Sequence, residues 1–279
     1  MPGRKKHKLG RVFLYLFAWF TSLFILYPYI VMFLGSLKDL QTMYRIPGTL
    51  LPEVWHWENY VNIWKDIPLL TYFKNSFIVA VFGTALCIVC AVPGAYALAR
   101  MNFPGKKTLM SLIVMTQMFS PVVLMVGIYR AMSNFGLANS LVGIVLLVAA
   151  FNQAFAVWLL SGTFATISKE LEEAARIDGC NKLSAMIRII LPLAAPGIVT
   201  AMTFVFIAGW NEYTLALILI GDSSLKTINL GIRAFFGYTG TEWWYVFAAS
   251  ILATLPILGF FRILERHLTG GLTAGGVKG

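Results

Sequence analysis

Long apolar stretches alternate with short polar breaks along this chain. The apolar runs read from Val12 to Leu37, Tyr72 to Ala99, Leu109 to Tyr129, Leu141 to Phe164, Leu191 to Ile220 and Trp243 to Leu264. Each is close to or above the length of about 20 residues that a helix needs to cross a bilayer. None shows the period-two alternation of barrel strands. In lipid only helices and closed barrels satisfy their own backbone, so the pattern predicts an all-α membrane protein with six transmembrane helices. One polar, helix-forming island, Ser168 to Leu191, separates the fourth run from the fifth.

Composition agrees with this reading. Hydrophobic residues make up 58% of the chain, charged residues 12%, and mean hydropathy is +0.76. Soluble domains of this length are far more polar. The net charge of +10 sorts by topology. With the N-terminus inside, the inner segments carry Arg4, Lys5, Lys6, Lys8 and Arg11, then Arg100, Lys106 and Lys107, then Lys169, Arg176, Lys182 and Arg188, and finally Arg262, Arg266 and Lys278. The outer loops carry only Lys38, Arg45, Lys65, Lys226 and Arg233, with Lys74 and Arg130 at boundaries. This positive-inside bias predicts cytoplasmic N- and C-termini and a cytoplasmic Ser168 to Leu191 island. The basic charge therefore requires no nucleic acid. The chain reads as a single transmembrane domain over residues 1–279, with a basic N-terminus (1–11), an external loop (38–71), a cytoplasmic segment (165–190) and a cytoplasmic tail (265–279).

The first apolar run is too long for a signal peptide and has no small-x-small cleavage site before Lys38, so it reads as an uncleaved helix. Cys87 and Cys90 form a C-x-x-C in the middle of the second run, with no His or acid nearby, and read as packing residues. Gly105-Lys106-Lys107-Thr108 has the end of a Walker loop, but Arg100 stands where the upstream glycine is required. Neither an H-E-x-x-H nor a G-x-S-x-G occurs. The chain is expected to be non-catalytic, with no metal or cofactor of its own.

The island has a helix-corner-helix grammar. Ser168 can cap a helix whose first turns carry Glu170, Glu172 and Glu173, acids that suit the positive end of the helix dipole. Ala174 and Ala175 are small and helix-favouring, which lets another surface approach. Gly179, after Asp178, can take the left-handed conformation that ends a helix, and Asn181 can cap a second helix running from Lys182 towards Leu191. Pro192 suits a first helical turn as the chain re-enters the bilayer. Alone, these residues fit either an ordinary cytoplasmic connector or an element that transmits a push.

Other local features suggest a bundle that moves. Ala91, Ala95 and Ala99 form a small-residue stripe, and Pro93-Gly94, Ser120-Pro121 and Pro256 should kink or loosen their helices. Trp55, Trp57, Tyr60 and Trp64, near Glu58 and Asp66, predict an interfacial helix in the external loop. It serves either as a membrane seat or as a dock for a soluble receptor. Gln117, Asn152 and Gln153, and Trp210-Asn211-Glu212, fall in mid-run and mark a candidate substrate path. They either line that path or join helices by hydrogen bonds. A carboxylate at the bilayer centre costs about 2.5–3.5 kcal/mol on insertion scales, so Glu212 is expected to face a wet cavity or a partner.

The spacing E-A-A-x3-G-x9-I-x-L-P, from Glu173 through Ala174, Ala175, Gly179, Ile189 and Leu191 to Pro192, resembles the signature of ABC importer permeases. The segments Ala95 to Lys106 and Leu171 to Ala175, with the Gly-rich ending Gly271 to Gly279, are similar to the MalG-like permeases of maltose-transporter type. That resemblance implies the type I importer fold and a heterodimer with a second homologous permease. It also implies two cytoplasmic ATPase subunits, which bind ATP and Mg, an extracytoplasmic solute-binding protein and a carbohydrate substrate. By the same resemblance, Glu172, Glu173, Ala174, Ala175, Asp178, Gly179, Ile189, Leu191 and Pro192 would couple to the ATPases. Gly275, Gly276 and Lys278 of the tail would contact them. The competing reading is a proton-coupled secondary transporter using Glu212. Polyols, glycerol phosphates and acidic oligosaccharides remain open as substrates beside maltose or maltodextrin.

Overall fold

The structure is a computed structural model that describes residues 3–237 and 240–274. Its main helices are α1 (Gly3–Ser36), α2 (Asn59–Asp66), α3 (Leu69–Arg100), α4 (Lys106–Met115), α5 (Met125–Asn134) and α6 (Leu141–Thr166). They continue with α7 (Lys169–Ile177), α8 (Lys182–Leu193), α9 (Ala195–Trp210), α10 (Thr214–Leu219) and α11 (Trp243–Ala274). Two compact units result: Met1–Ile67 with Ile232–Thr254, and Pro68–Gly231 with Leu255–Gly279.

In the first unit α1 presents a continuous apolar surface, with Phe13, Trp19 and Phe24 exposed. Such a surface needs lipid or a partner. The buried Asn59 side chain donates to the Ser36 and Lys38 carbonyls at 2.9 and 3.0 Å, so α2 is pinned to the end of α1. Trp57 packs edge-on against Phe33 and stacks on Trp55. Tyr60 and Trp64 of the aromatic cluster lie within this short helix, and Trp55 and Trp57 stand just ahead of it.

The second unit is built on α3, α6 and α9, which pack against one another. Ala91 and Ala95 are fully buried and Ala99 packs at the edge of the same core, alongside Leu160, Phe164 and Val205. The stripe of small residues therefore does bring helices into close contact. A second core, formed by Val79, Ile144, Val148 and Leu215, lies further along the same helices. Polar residues fasten the connecting loops. Asn75 donates to the Ser224 and Lys226 carbonyls, both at 2.9 Å, and the Ser76 hydroxyl accepts from the Ile228 amide. Asn139, itself left-handed at φ 53°, accepts from the amides of Gly221 and Asp222.

Four described helices are long and apolar enough to cross a membrane, or five if α8 and α9 form one span bent by 77°. The expected helix from Leu109 to Tyr129 is not continuous. It is two ten-residue helices, α4 and α5, parted by turns around Ser120 and Pro121. Proline removes an amide donor and crowds the residue before it out of the helical region, which accounts for the break. Pro93 and Pro256, in contrast, sit inside uninterrupted helices. The expected fifth run is also divided. It bends at Ala194, just ahead of Pro196, and stops at Trp210 before α10 begins.

Candidate functional site

The polar island folds as its capping residues dictate. The Ser168 hydroxyl accepts from the Glu170 amide at 3.2 Å, with Glu170 and Glu172 in the first turn of α7. The helix ends in a paired backbone clasp: the Gly179 amide donates to the Arg176 carbonyl at 3.1 Å and the Cys180 amide to the Ala175 carbonyl at 3.0 Å. These are the two bonds of a Schellman motif, which requires a left-handed residue. Gly179 supplies it at φ +88°. Asn181 then accepts from the Ser184 amide at 2.8 Å and opens α8.

Two features of α8 escaped the sequence reading. Met186–Ile190 forms a π turn, and Met186, Ile190 and Ala194 are buried in the α3–α6–α9 core. Ile189 and Leu191, expected as coupling residues, are half-buried at the flank of this anchor, and Pro192 is exposed. The outer side of the elbow is different. Glu173, Ala174 and Asp178 are exposed, Ile177 is 87% exposed and Leu183 is 62% exposed. A depression of about 610 Å³ beside Ile177 is lined also by Glu173, Arg176, Cys180, Asn181 and Lys182. Apolar side chains standing beside a charged depression suit a protein partner more than water. Ile177 and Leu183 are absent from the sequence-derived set because an apolar residue on a short amphipathic helix reads as core.

Ala175 and Glu172 face inward instead. Ala175 is 4% exposed. One carboxylate oxygen of Glu172 accepts from the Tyr96 hydroxyl at 2.5 Å. The other lies 3.4 Å from Arg100 Nε, in a pair whose side chains are 14% and 5% exposed. Arg100 Nη2 also donates to the Ile167 carbonyl at 2.9 Å. These contacts join the C-terminal end of α3 to the start of α7 and roof a cleft of about 500 Å³, which Lys169 and Arg176 also line.

The candidate path residues are scattered. Gln117 donates to the Phe151 carbonyl at 3.1 Å, and Asn152 donates to Val148 within its own helix. With its amide turned to donate to the Cys87 carbonyl and accept from the Ala91 amide, Gln153 on α6 reaches α3 at 3.2 and 3.0 Å. Trp210 is 2% exposed and stacks on Phe206, while its carbonyl accepts from Asn229. Asn211 ends α9. Glu212 is half-buried and accepts from the Leu215 amide at 2.7 Å, at the N-terminus of α10. Among the described residues, none of these side chains lines a cavity named above. Gly275, Gly276 and Lys278 lie outside the described residues.

Comparison with known proteins decides the family. Residues 87–273 match the family described as binding-protein-dependent transport system inner membrane component. The chain belongs to this family. It is 33% identical over 276 residues to the inner membrane ABC transporter permease protein YcjP of Escherichia coli, spanning 98% of this chain and 99% of that one. It is 30% identical over 278 residues to the trehalose/maltose transport system permease protein MalG of Thermococcus litoralis, spanning 99% of each. Its fold is that of a bacterial ABC transporter solved as an importer of the acidic polysaccharide alginate, with TM-score 0.77 and 24% identity over 95% of this chain and 98% of that one. This inner membrane component is thus an all-helical, multi-pass protein with the type I importer fold. The matched span contains the whole elbow.

Proposed function

We propose that this inner membrane component is one of two homologous permease subunits of an ATP-driven carbohydrate importer. Its substrate is an oligosaccharide of the maltose or maltodextrin kind. The solved alginate importer and the trehalose/maltose relative support the carbohydrate class. In this reading α4 and α5 together make the third of six spans and α8 with α9 the fifth, both termini are cytoplasmic, and a solute-binding protein delivers substrate from outside. Two ATPase subunits receive the elbow between α7 and α8. Residues 271–279, including Gly275, Gly276 and Lys278, reach towards the same subunits.

The observation that carries the proposal is the two-sided elbow. Its inner side is fastened to the helical core through Ala175, Met186 and Ile190, and its outer side leaves Ala174, Ile177 and Leu183 bare at a fixed corner. A partner gripping the bare side moves the core. When the ATPases close on ATP they carry the elbow and open the cavity outward; hydrolysis reverses this. The grip must differ in strength between the two states, since an equal contact in both shifts no equilibrium. Ala174→Trp tests the docking surface. The residue is exposed, so the fold accommodates the ring while the approach of a partner does not. ATPase co-purifying with Ala174→Trp at wild-type yield, with uptake unchanged, would contradict the proposal.

A further inference from the structure

We infer that Arg100, Tyr96 and Glu172 form a latch that makes the coupling elbow and the cytoplasmic end of α3 move as one body. The inference rests on the elbow reading and assigns Glu172 a positioning role in place of a contact with the ATPase. Four observations carry it. Both carboxylate oxygens of Glu172 face α3: one accepts from the Tyr96 hydroxyl, and the other lies 3.4 Å from Arg100 Nε as an ion pair without a hydrogen bond. The two charged side chains are 5% and 14% exposed, so the pair is largely withdrawn from water. Arg100 makes a further bond to the Ile167 carbonyl, the last residue before the Ser168 cap, and thereby holds both the entry to α7 and its first turn. The Tyr96 ring meets Phe164 edge-on within the core.

Removing one member of a buried pair leaves an uncompensated charge, so the latch is costly to half-open. A push arriving at Ala174 and Ile177 then turns α3 with α7. Without the latch, α7 hinges on the chain around Ile167 and Ser168, and the push is absorbed locally. Arginine suits position 100 because its guanidinium bonds the Ile167 carbonyl through Nη2 while its spread charge stands beside the Glu172 carboxylate, which an ammonium at the end of a flexible stem does less well.

The test measures rigidity directly in the complete complex, purified with its ATPases. Nitroxide labels are placed at Asn102→Cys and Glu170→Cys, both exposed sites, in a background carrying Cys87→Ala, Cys90→Ser and Cys180→Ser. Electron–electron distances are recorded nucleotide-free and after trapping with ATP and vanadate. The latch predicts one narrow distance in both states. In Glu172→Gln and in Arg100→Gln, a second, longer component should rise at least about tenfold over its wild-type share, the size of an ordinary coupling between sites. The double variant should match either single one, because the members act as a unit. Arg100→Lys should restore part of the narrow distance, and Tyr96→Phe, which keeps both charges, should broaden it least. Unchanged distances in both single variants, or additive broadening in the double variant, would overturn the latch. The two readings fail separately. If Ala174→Trp loses its ATPase while the distances ignore Glu172 and Arg100, the elbow stands and the latch falls. If the distances respond but Ala174→Trp keeps its ATPase, the latch stands and the docking surface falls.

Discussion

Gly179 sets the angle between α7 and α8, and its replacement gives a graded prediction. The residue sits at φ +88°, and a Cβ built there meets no atom within 4 Å. Any penalty is therefore torsional, without a clash to relieve. An L-residue in the left-handed region costs roughly 1–2 kcal/mol, and a strained β-branched residue up to about 3 kcal/mol, whereas asparagine visits this region readily. If the corner opens to escape that cost, the amide bonds of Gly179 and Cys180 to α7 are lost as well, at about 1 kcal/mol each. Since about 1.4 kcal/mol is tenfold in a population, Gly179→Ala should lower the share of correctly bent elbow by about tenfold when corner and partner are in balance. Gly179→Val should abolish coupling, and Gly179→Asn should stay near wild type. The assay is ATP-dependent uptake in membrane vesicles, with ATPase co-purification on the tagged chain and immunoblotting for membrane abundance. Full uptake by Gly179→Val with normal ATPase recovery would refute the argument. So would an Asn variant as inactive as Val, since torsion would then not be the cause.

Three further outcomes follow from the same geometry. Glu212→Gln keeps an oxygen for the Leu215 amide at the start of α10 and should retain much of the uptake, whereas Glu212→Leu should lose it; a dead Gln variant would favour proton coupling. Gly143→Ala places a Cβ 2.4 Å from the Leu137 carbonyl and should cost about 1–3 kcal/mol as overpacking, while Gly162→Ala, with open space around it inside α6, should be neutral or stabilising; thermal aggregation midpoints in detergent compare the two. Deleting residues 271–279 should lower ATPase stimulation by the loaded solute-binding protein without lowering abundance, as measured in reconstituted vesicles.

What the sequence made legible was local. Ser168, Gly179 and Asn181 act on backbone groups within three residues of themselves, so their capping roles can be read by spacing alone. Apolar run length likewise locates α3 and α6 without knowledge of their neighbours. The π turn at Met186–Ile190 lies where Met186 and Ile190 are buried in the core with α3 and α6, a long-range contact that leaves little trace in hydropathy. Glu172 shows the limit most clearly. Its partner Tyr96 is 76 positions away, and a first-turn acid looks the same in sequence whether it faces a partner subunit or the helix behind it. Glu212 reads as a mid-helix charge only while Leu191 to Ile220 is taken as one helix. Once the run is broken at Trp210, it lies at the start of a new helix, where backbone amides favour an acid.

Energy source is the most direct test of the account. In vesicles holding the complete complex and the solute-binding protein, carbohydrate uptake should continue when an uncoupler collapses the proton gradient with ATP supplied. It should stop when ATP is withdrawn with the gradient intact. Uptake that follows the gradient and ignores ATP would contradict the claim that the α7–α8 elbow couples this chain to an ATPase.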